Sequence, residues 1–162
     1  YVIFSMDMAY TLAKERKLGT WTQKISRRRD FRPGDLFSMN GHIWICLGLC
    51  EDQSMVILHS SPTESRTGHP GGGVQLSALS DDPNCQAMEL AQHYMSHYCP
   101  VWKERYEAVW KSYRKYTTFT GKRAGRFSWY LDERGLLDPE HYRDKSAEAI
   151  LQDLFKEGGS SF

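Results

Sequence analysis

No stretch of this chain is apolar for long enough to cross a bilayer, which takes about 20 such residues in a helix. Charge of one sign is also missing, since 21 Lys and Arg stand against 20 Asp and Glu for a formal net charge of +1 at pH 7. That balance removes the electrostatic case for nucleic acid or an anionic membrane as partner. The one basic cluster, Arg27-Arg28-Arg29, is short and reads as a solvated loop. Cysteine is scarce: Cys46, Cys50, Cys85 and Cys99 form no C-x-x-C pair, so zinc and redox motifs of that type are absent. His93 and His97 stand four apart, a spacing that suits a metal, yet no glutamate adjoins His93 as the H-E-x-x-H motif requires. No internal repeat or linker divides the 162 residues, of which 40% are hydrophobic, so one domain with a substantial core is expected.

What is present is patterned. Val2, Ile3, Met6, Ala9, Tyr10 and Ala13 recur at three- and four-residue steps, which predicts an amphipathic helix over Tyr1 to Lys17 stopped by Gly19. Thr20 to Asp30 reads as irregular, and Pro33-Gly34 as a turn into a strand at Leu36-Phe37. Ile43, Ile45 and Leu47 alternate with His42, Trp44 and Cys46; both sets are largely apolar, so this strand should be covered on two faces, with Cys46 a small buried hydrophobe. Glu51 to Ser54 forms a turn, and Met55 to Leu58 returns alongside, ending in His59-Ser60-Ser61. Two histidines on neighbouring strands are the natural place to look for chemistry, because imidazole alone transfers protons near neutral pH without a shifted pKa. Whether the two share a face depends on the turn.

A Ser-, Gly- and Pro-rich loop then carries His69 and Gly71-Gly72-Gly73 into a strand over Val74 to Leu79. Glycines there let a ligand approach the main chain. Beyond Asp81 the pattern predicts helices: one bearing Ala87, Leu90, Ala91, Tyr94 and Met95, another from Val101 to Tyr113 with Trp102, Tyr106 and Trp110 on one side, and a capped terminal helix over Ser146 to Phe155. A short strand is expected near Arg126 to Leu131.

The ordered set RPGDLF, GHIWICLG, VILHSS and GGGVQLSAL, covering residues 1 to 80, resembles the second half of an NlpC/P60-type cysteine peptidase domain. The resemblance implies an α+β, papain-like core with an N-terminal helix packed on an antiparallel sheet, followed over 81 to 162 by a helical, aromatic-rich extension of the same domain. It implies a cysteine nucleophile at a helix start, His42 as general base and His59 as the group that orients it. Ser60, Gly72 and Gly73 are placed by it beside the substrate, which for the family is the peptide of bacterial peptidoglycan; the setting is secreted or cell envelope, and no cofactor or metal is implied. No cysteine here occupies the family's position, so the nucleophile is expected ahead of Tyr1, the chain reading as a piece of a longer protein. Three alternatives stand beside this: a permuted arrangement using Cys99 before Pro100, a module on the same fold that binds wall peptides without cutting them, and a metal site drawn from Asp35, His42, His59 or His69.

Overall fold

Strand-forming, β-branched and aromatic residues with period-two burial gather into one mixed sheet in the computed structural model, which describes residues 3–61 and 73–155. Its strands are β1 (Gly19–Thr22), β2 (Leu36–Met39), β3 (His42–Leu49), β4 (Met55–Ser61), β5 (Gly73–Ser80), β6 (Trp110–Ser112) and β7 (Gly125–Trp129). They lie in the order β1-β7-β2-β3-β4-β5-β6. All pairs are antiparallel except β5 with β6. The fold is therefore α+β, and its sheet is mixed where an antiparallel one was expected.

The two sets of side chains on β3 do face different layers. Phe37, Trp44, Cys46, Met55, Ile57 and Leu79 form one core with Phe31, and Tyr113, Tyr116 and Phe119 pack over it. Phe37 and Trp44 sit opposite each other in the register and stack with ring centroids 5.1 Å apart. The other face carries Val56, Leu76 and Ala78 against α2 (Gln86–Tyr98) and α5 (Ala147–Leu154). Farther along that same face, Ala9, Ala13 and Phe127 make a smaller cluster with Leu36 under the N-terminal helix.

That helix is a continuous run of a 3-10 turn (Ser5–Asp7), α1 (Met8–Tyr10) and a π-helical stretch (Thr11–Glu15). It ends at Glu15, two residues earlier than the periodicity predicts, and Lys17 with φ +60 turns the chain away. Gly19 serves a different end from stopping the helix: a Cβ there would meet the Ser128 carbonyl oxygen at 2.1 Å and the Phe127 ring. Gly48 does similar work in β3, where the register with β4 shifts. A Cβ at Gly48 would lie 2.7 Å from the Ala147 backbone nitrogen, so α5 docks on bare main chain. Ser146 caps α5 by accepting a hydrogen bond from the Ala149 N–H at 3.2 Å, as the sequence predicts.

Residues 81–155 depart most from expectation. They are more than a helical extension, because β7 sits between β1 and β2 inside the sheet, and Thr20 to Asp30 contributes β1 as its partner. The helix expected over Val101 to Tyr113 stops early: α3 covers Pro100–Arg105, and the chain then runs extended into β6. The open edge of β5 explains this. Ala78 N–H donates to the Val109 carbonyl at 3.0 Å and Val109 N–H donates to Ser77 Oγ at 3.2 Å, tertiary bonds that outweigh helical periodicity. A one-turn helix, α4 (Tyr113–Tyr116), follows. Among the described residues no helix is long and apolar enough to cross a membrane.

Candidate functional site

A two-residue turn, Asn40-Gly41, joins β2 to β3, with Gly41 at φ +73 where a side chain is disfavoured. It sets Met39 opposite His42, and the β3–β4 register sets Trp44 opposite His59. Since positions two apart share a face, His42, Trp44 and His59 all project to the same side of the sheet. The two histidines stand on adjacent strands as expected, and the register decides the question of a shared face that the sequence left open. His59 Nδ1 lies 3.2 Å from His42 Nε2, with the ring centroids 5.1 Å apart and the planes near perpendicular. His59 Nε2 lies 2.9 Å from Ser77 Oγ on β5.

These contacts form a chain with two self-consistent proton orders. In one, His42 Nε2–H donates to His59 Nδ1 and His59 Nε2–H donates to Ser77 Oγ, which leaves His42 Nδ1 a bare lone pair. In the other, every proton is shifted one place and His42 Nδ1 carries a hydrogen. Either way His42 Nδ1 is the free end, with no hydrogen-bond partner among the described residues. A base whose inner nitrogen is engaged by a second group, with its outer nitrogen facing no partner among the described residues, is an arrangement suited to general acid–base catalysis.

Burial gradates along the chain. His59 is 5% exposed, Ser77 is fully buried and His42 is half-buried. Burial pushes the His59 pKa down to about 3, helped by His42 and by the Lys111 cation. His42 is lowered too, by burial first and then by Lys111. Both rings are thus neutral at pH 7, as a base requires. A consequence for stability follows. The unfolded chain protonates His59 near 6.5 whereas the folded protein resists until about 3, so stability present above 6.5 is lost as the pH falls across that window. His59→Gln is expected to flatten the decline in urea midpoint between pH 7 and pH 4 relative to wild type; parallel declines in the two proteins would contradict this burial-driven shift.

Two of the residues expected to contact substrate stand elsewhere. Ser60 is exposed but, adjoining His59 in the strand, projects to the opposite face. Gly73 is buried beneath Tyr106, whose ring a Cβ would meet at 2.2 Å, so its missing side chain makes room for an aromatic ring and not for a ligand. Gly73→Ala should cost about 1–3 kcal/mol through overpacking, read from chemical denaturation, and an unchanged midpoint would show that Tyr106 yields freely. Gly72 and His69 lie outside the described residues.

Cys50, Cys85 and Cys99 pack with the helical face of the sheet, and Cys46, on the histidine side, is sealed in the core. Cys46 is fully buried, and burial drives its thiol pKa far up; Cys50 is pushed up to about 11 for the same reason. Cys99, the alternative nucleophile, packs with the cluster on the helical face of the sheet, so the sheet separates it from His42 and the permuted arrangement is corrected. The metal alternative fares no better. Asp35 is bound to Arg143, with Arg143 Nη1 at 2.6 Å from Oδ1, and among the described residues no three His, Cys, Asp or Glu side chains come together to hold an ion. His93 and His97 stack with ring centroids 5.8 Å apart on exposed turns of α2.

The N-terminal helix bears on the site in an unexpected way. Ala9 N–H donates to Ser38 Oγ at 2.9 Å, and Ser38 projects away from the histidine face, so the helix body lies on the other side of the sheet. Its first turn nevertheless reaches the end of the sheet from which His42 emerges, where Ser5 Oγ donates to the carbonyl of Met39, the register partner of His42.

Three further residues were not anticipated. Ser77 ends the imidazole chain; the alternation Gln75-Leu76-Ser77-Ala78 was its available signal, two polar residues on one face of an otherwise apolar strand. Tyr116 sets its ring edge-on to His42, centroids 5.4 Å apart, and Trp44 Nε1–H fixes the Tyr116 carbonyl at 3.1 Å. Lys111 Nζ lies 5.4 Å from the centre of that same tyrosine ring. No sequence signal marked these two, since they belong to a strand and a short helix formed only by tertiary pairing. No family model, curated protein or solved structure matches the chain.

Proposed function

We propose that this chain is the base-bearing part of a cysteine hydrolase of NlpC/P60 type, acting on amide bonds of peptidoglycan peptides. His42 Nδ1 takes the proton of a thiol supplied by the chain ahead of Tyr1, and the thiolate attacks the substrate carbonyl. The same nitrogen then returns the proton to the departing amine, and water releases the acyl group in a second round of the same proton transfers. His59 is a positioning residue that fixes the His42 tautomer, with Ser77 behind it.

The observation that carries this reading is the 3.2 Å contact between His59 and His42, with the outer nitrogen of His42 free of hydrogen-bond partners among the described residues. The first helical turn at the Met39 carbonyl adds support, since chain leading into that turn arrives at the end of the sheet where His42 stands. A non-cleaving module that binds wall peptides is the second reading, favoured by the burial of Cys46, Cys50 and Cys85 and by the packing of Cys99 with the cluster on the helical face of the sheet. Incubating the full-length protein with purified peptidoglycan peptides and following new amino groups separates the two. Release of amines supports the hydrolase; saturable binding with no release supports the module.

A further inference from the structure

We propose that Lys111 is the anion-docking residue of the histidine site, and that the ligand taken there carries a carboxylate; this names the substrate class for the reading above and rests on it for the chemistry, but not for the binding. The position of Lys111 follows from the sheet. β6 pairs parallel to β5 with Lys111 opposite Leu79, a residue of the histidine-side core, and partners in a parallel ladder project to the same face. From there the lysine runs toward Tyr116, whose ring edge touches His42. Ammonium, phenol ring and imidazole thus succeed one another along one wall.

The backbone that holds Lys111 is anchored to the dyad itself. Val109 N–H donates to Ser77 Oγ, the hydroxyl that closes the imidazole chain, and Trp110 Nε1–H reaches Ser80 Oγ at 3.0 Å. A cation so fixed is preorganised for a ligand at the histidines.

Among the described residues its charge is unanswered. Lys111 is half-buried and, among the described residues, makes no ion pair with a carboxylate, whereas Arg28, Arg126 and Arg143 each have an aspartate. Around it stand a tyrosine ring and two imidazoles kept neutral, in part, by the lysine itself. A partly desolvated cation among neutral groups favours an incoming anion and disfavours a cation. Lys111 also lies beyond residues 1 to 80, the part of the chain that resembles a known family, so it is a feature of this protein's own C-terminal half.

The test uses binding that needs no turnover. The probes are N-acetylglycine and its neutral methylamide, titrated into protein with labelled histidine rings while the His42 signals are followed by NMR. The acid is expected to bind about tenfold more tightly than the amide in wild type, a preference that Lys111→Gln abolishes and Lys111→Arg keeps. An unchanged far-ultraviolet spectrum and urea midpoint in the ligand-free Lys111→Gln protein serve as the control for folding. Equal binding of acid and amide by wild type, or a preference surviving in Lys111→Gln, overturns the proposal. Failure of the protein to hydrolyse anything leaves the binding result intact and counts only against the hydrolase. If hydrolysis is present, Lys111→Gln should raise KM for carboxylate-bearing substrates at constant kcat; a fall in kcat at constant KM would assign the lysine to charge developing during reaction and overturn the docking role.

Discussion

On the proposed hydrolase reading, His42→Gln in the full-length protein is expected to lower amide hydrolysis at pH 7 by about 10^2- to 10^4-fold, the range over which a positioned proton-transfer group contributes. His42 Nδ1 is the nitrogen of the imidazole chain that has no hydrogen-bond partner among the described residues. Glutamine approximates the size of the ring but accepts no proton, so the thiol loses the base that makes it a thiolate. Alkylation of that thiol by iodoacetamide at neutral pH should fall in parallel, which ties the defect to activation and not to substrate binding. His42 is half-buried, so the variant should fold, and an unchanged far-ultraviolet spectrum checks this. His59→Gln should have a smaller effect on the rate, because glutamine can still hydrogen-bond His42 Nε2 while no longer fixing a single tautomer. The pH profile supplies an independent reading. Burial and the Lys111 cation both lower the His42 pKa, so the acid limb of kcat/KM should fall below the ordinary histidine value of 6.5. Alkylation at an unchanged rate in His42→Gln would separate the thiol from this base and leave the binding module as the better account.

The histidine pair was legible in sequence because the information was local. Short turns bring β2, β3 and β4 together and put His42 and His59 on neighbouring strands, but their common face was left open: carried on from Leu49–Met55, period two would set His59 opposite Ile45, and the register shift between Cys46 and Gly48 is what sets it opposite Trp44. The capped helix α5 was legible for the same reason, its serine cap and apolar stripe lying within ten residues. What was hidden depends on pairing between distant segments. A short strand near Arg126 to Leu131 was expected and is β7, but its partner β1, a four-residue stretch about a hundred residues away without strong alternation, was not. β6 carries Trp110 and Lys111 in a run whose aromatics recur at helical spacing, and only the free edge of β5 makes it a strand. Lys111 and Tyr116 were hidden with it. Gly73 teaches a separate lesson: composition marked it as permissive backbone, but the absent Cβ is used by Tyr106, a partner 33 positions away.

Asp35→Ala is expected to destabilise the fold by about 3–5 kcal/mol, the range for removing one partner of a buried ion pair. Asp35 is fully buried in the Pro33-Gly34-Asp35-Leu36 turn that leads into β2. One carboxylate oxygen accepts from Arg143 Nη1 at 2.6 Å, and the other accepts from the Arg32 backbone N–H at 3.0 Å and lies 3.9 Å from Arg126 Nη1. Arg143 also donates to the Pro33 carbonyl at 3.0 Å, so the turn is clamped to a C-terminal loop more than a hundred residues away. Arg126 is held in β7 over the Phe31 ring, with Nε and Nη1 otherwise lacking hydrogen-bond partners. Removing the carboxylate leaves two guanidinium groups in partly buried positions without a counter-charge, which is where the penalty arises. Asp35→Asn should cost less than Asp35→Ala, because the amide oxygen still accepts from Arg143. Pairing Asp35→Leu with Arg143→Met should recover part of the loss, since both ends of the strongest contact are then gone and no charge is stranded there. The turn precedes the strand pair that carries His42 to His59, so the Asp35→Ala protein should lose the dyad's NMR signature as it unfolds and not before. Urea unfolding at pH 7 measures the first quantity, and a midpoint within about 0.5 kcal/mol of wild type, the scatter of an ordinary surface substitution, would mean that the buried aspartate does not hold the two halves of the chain together.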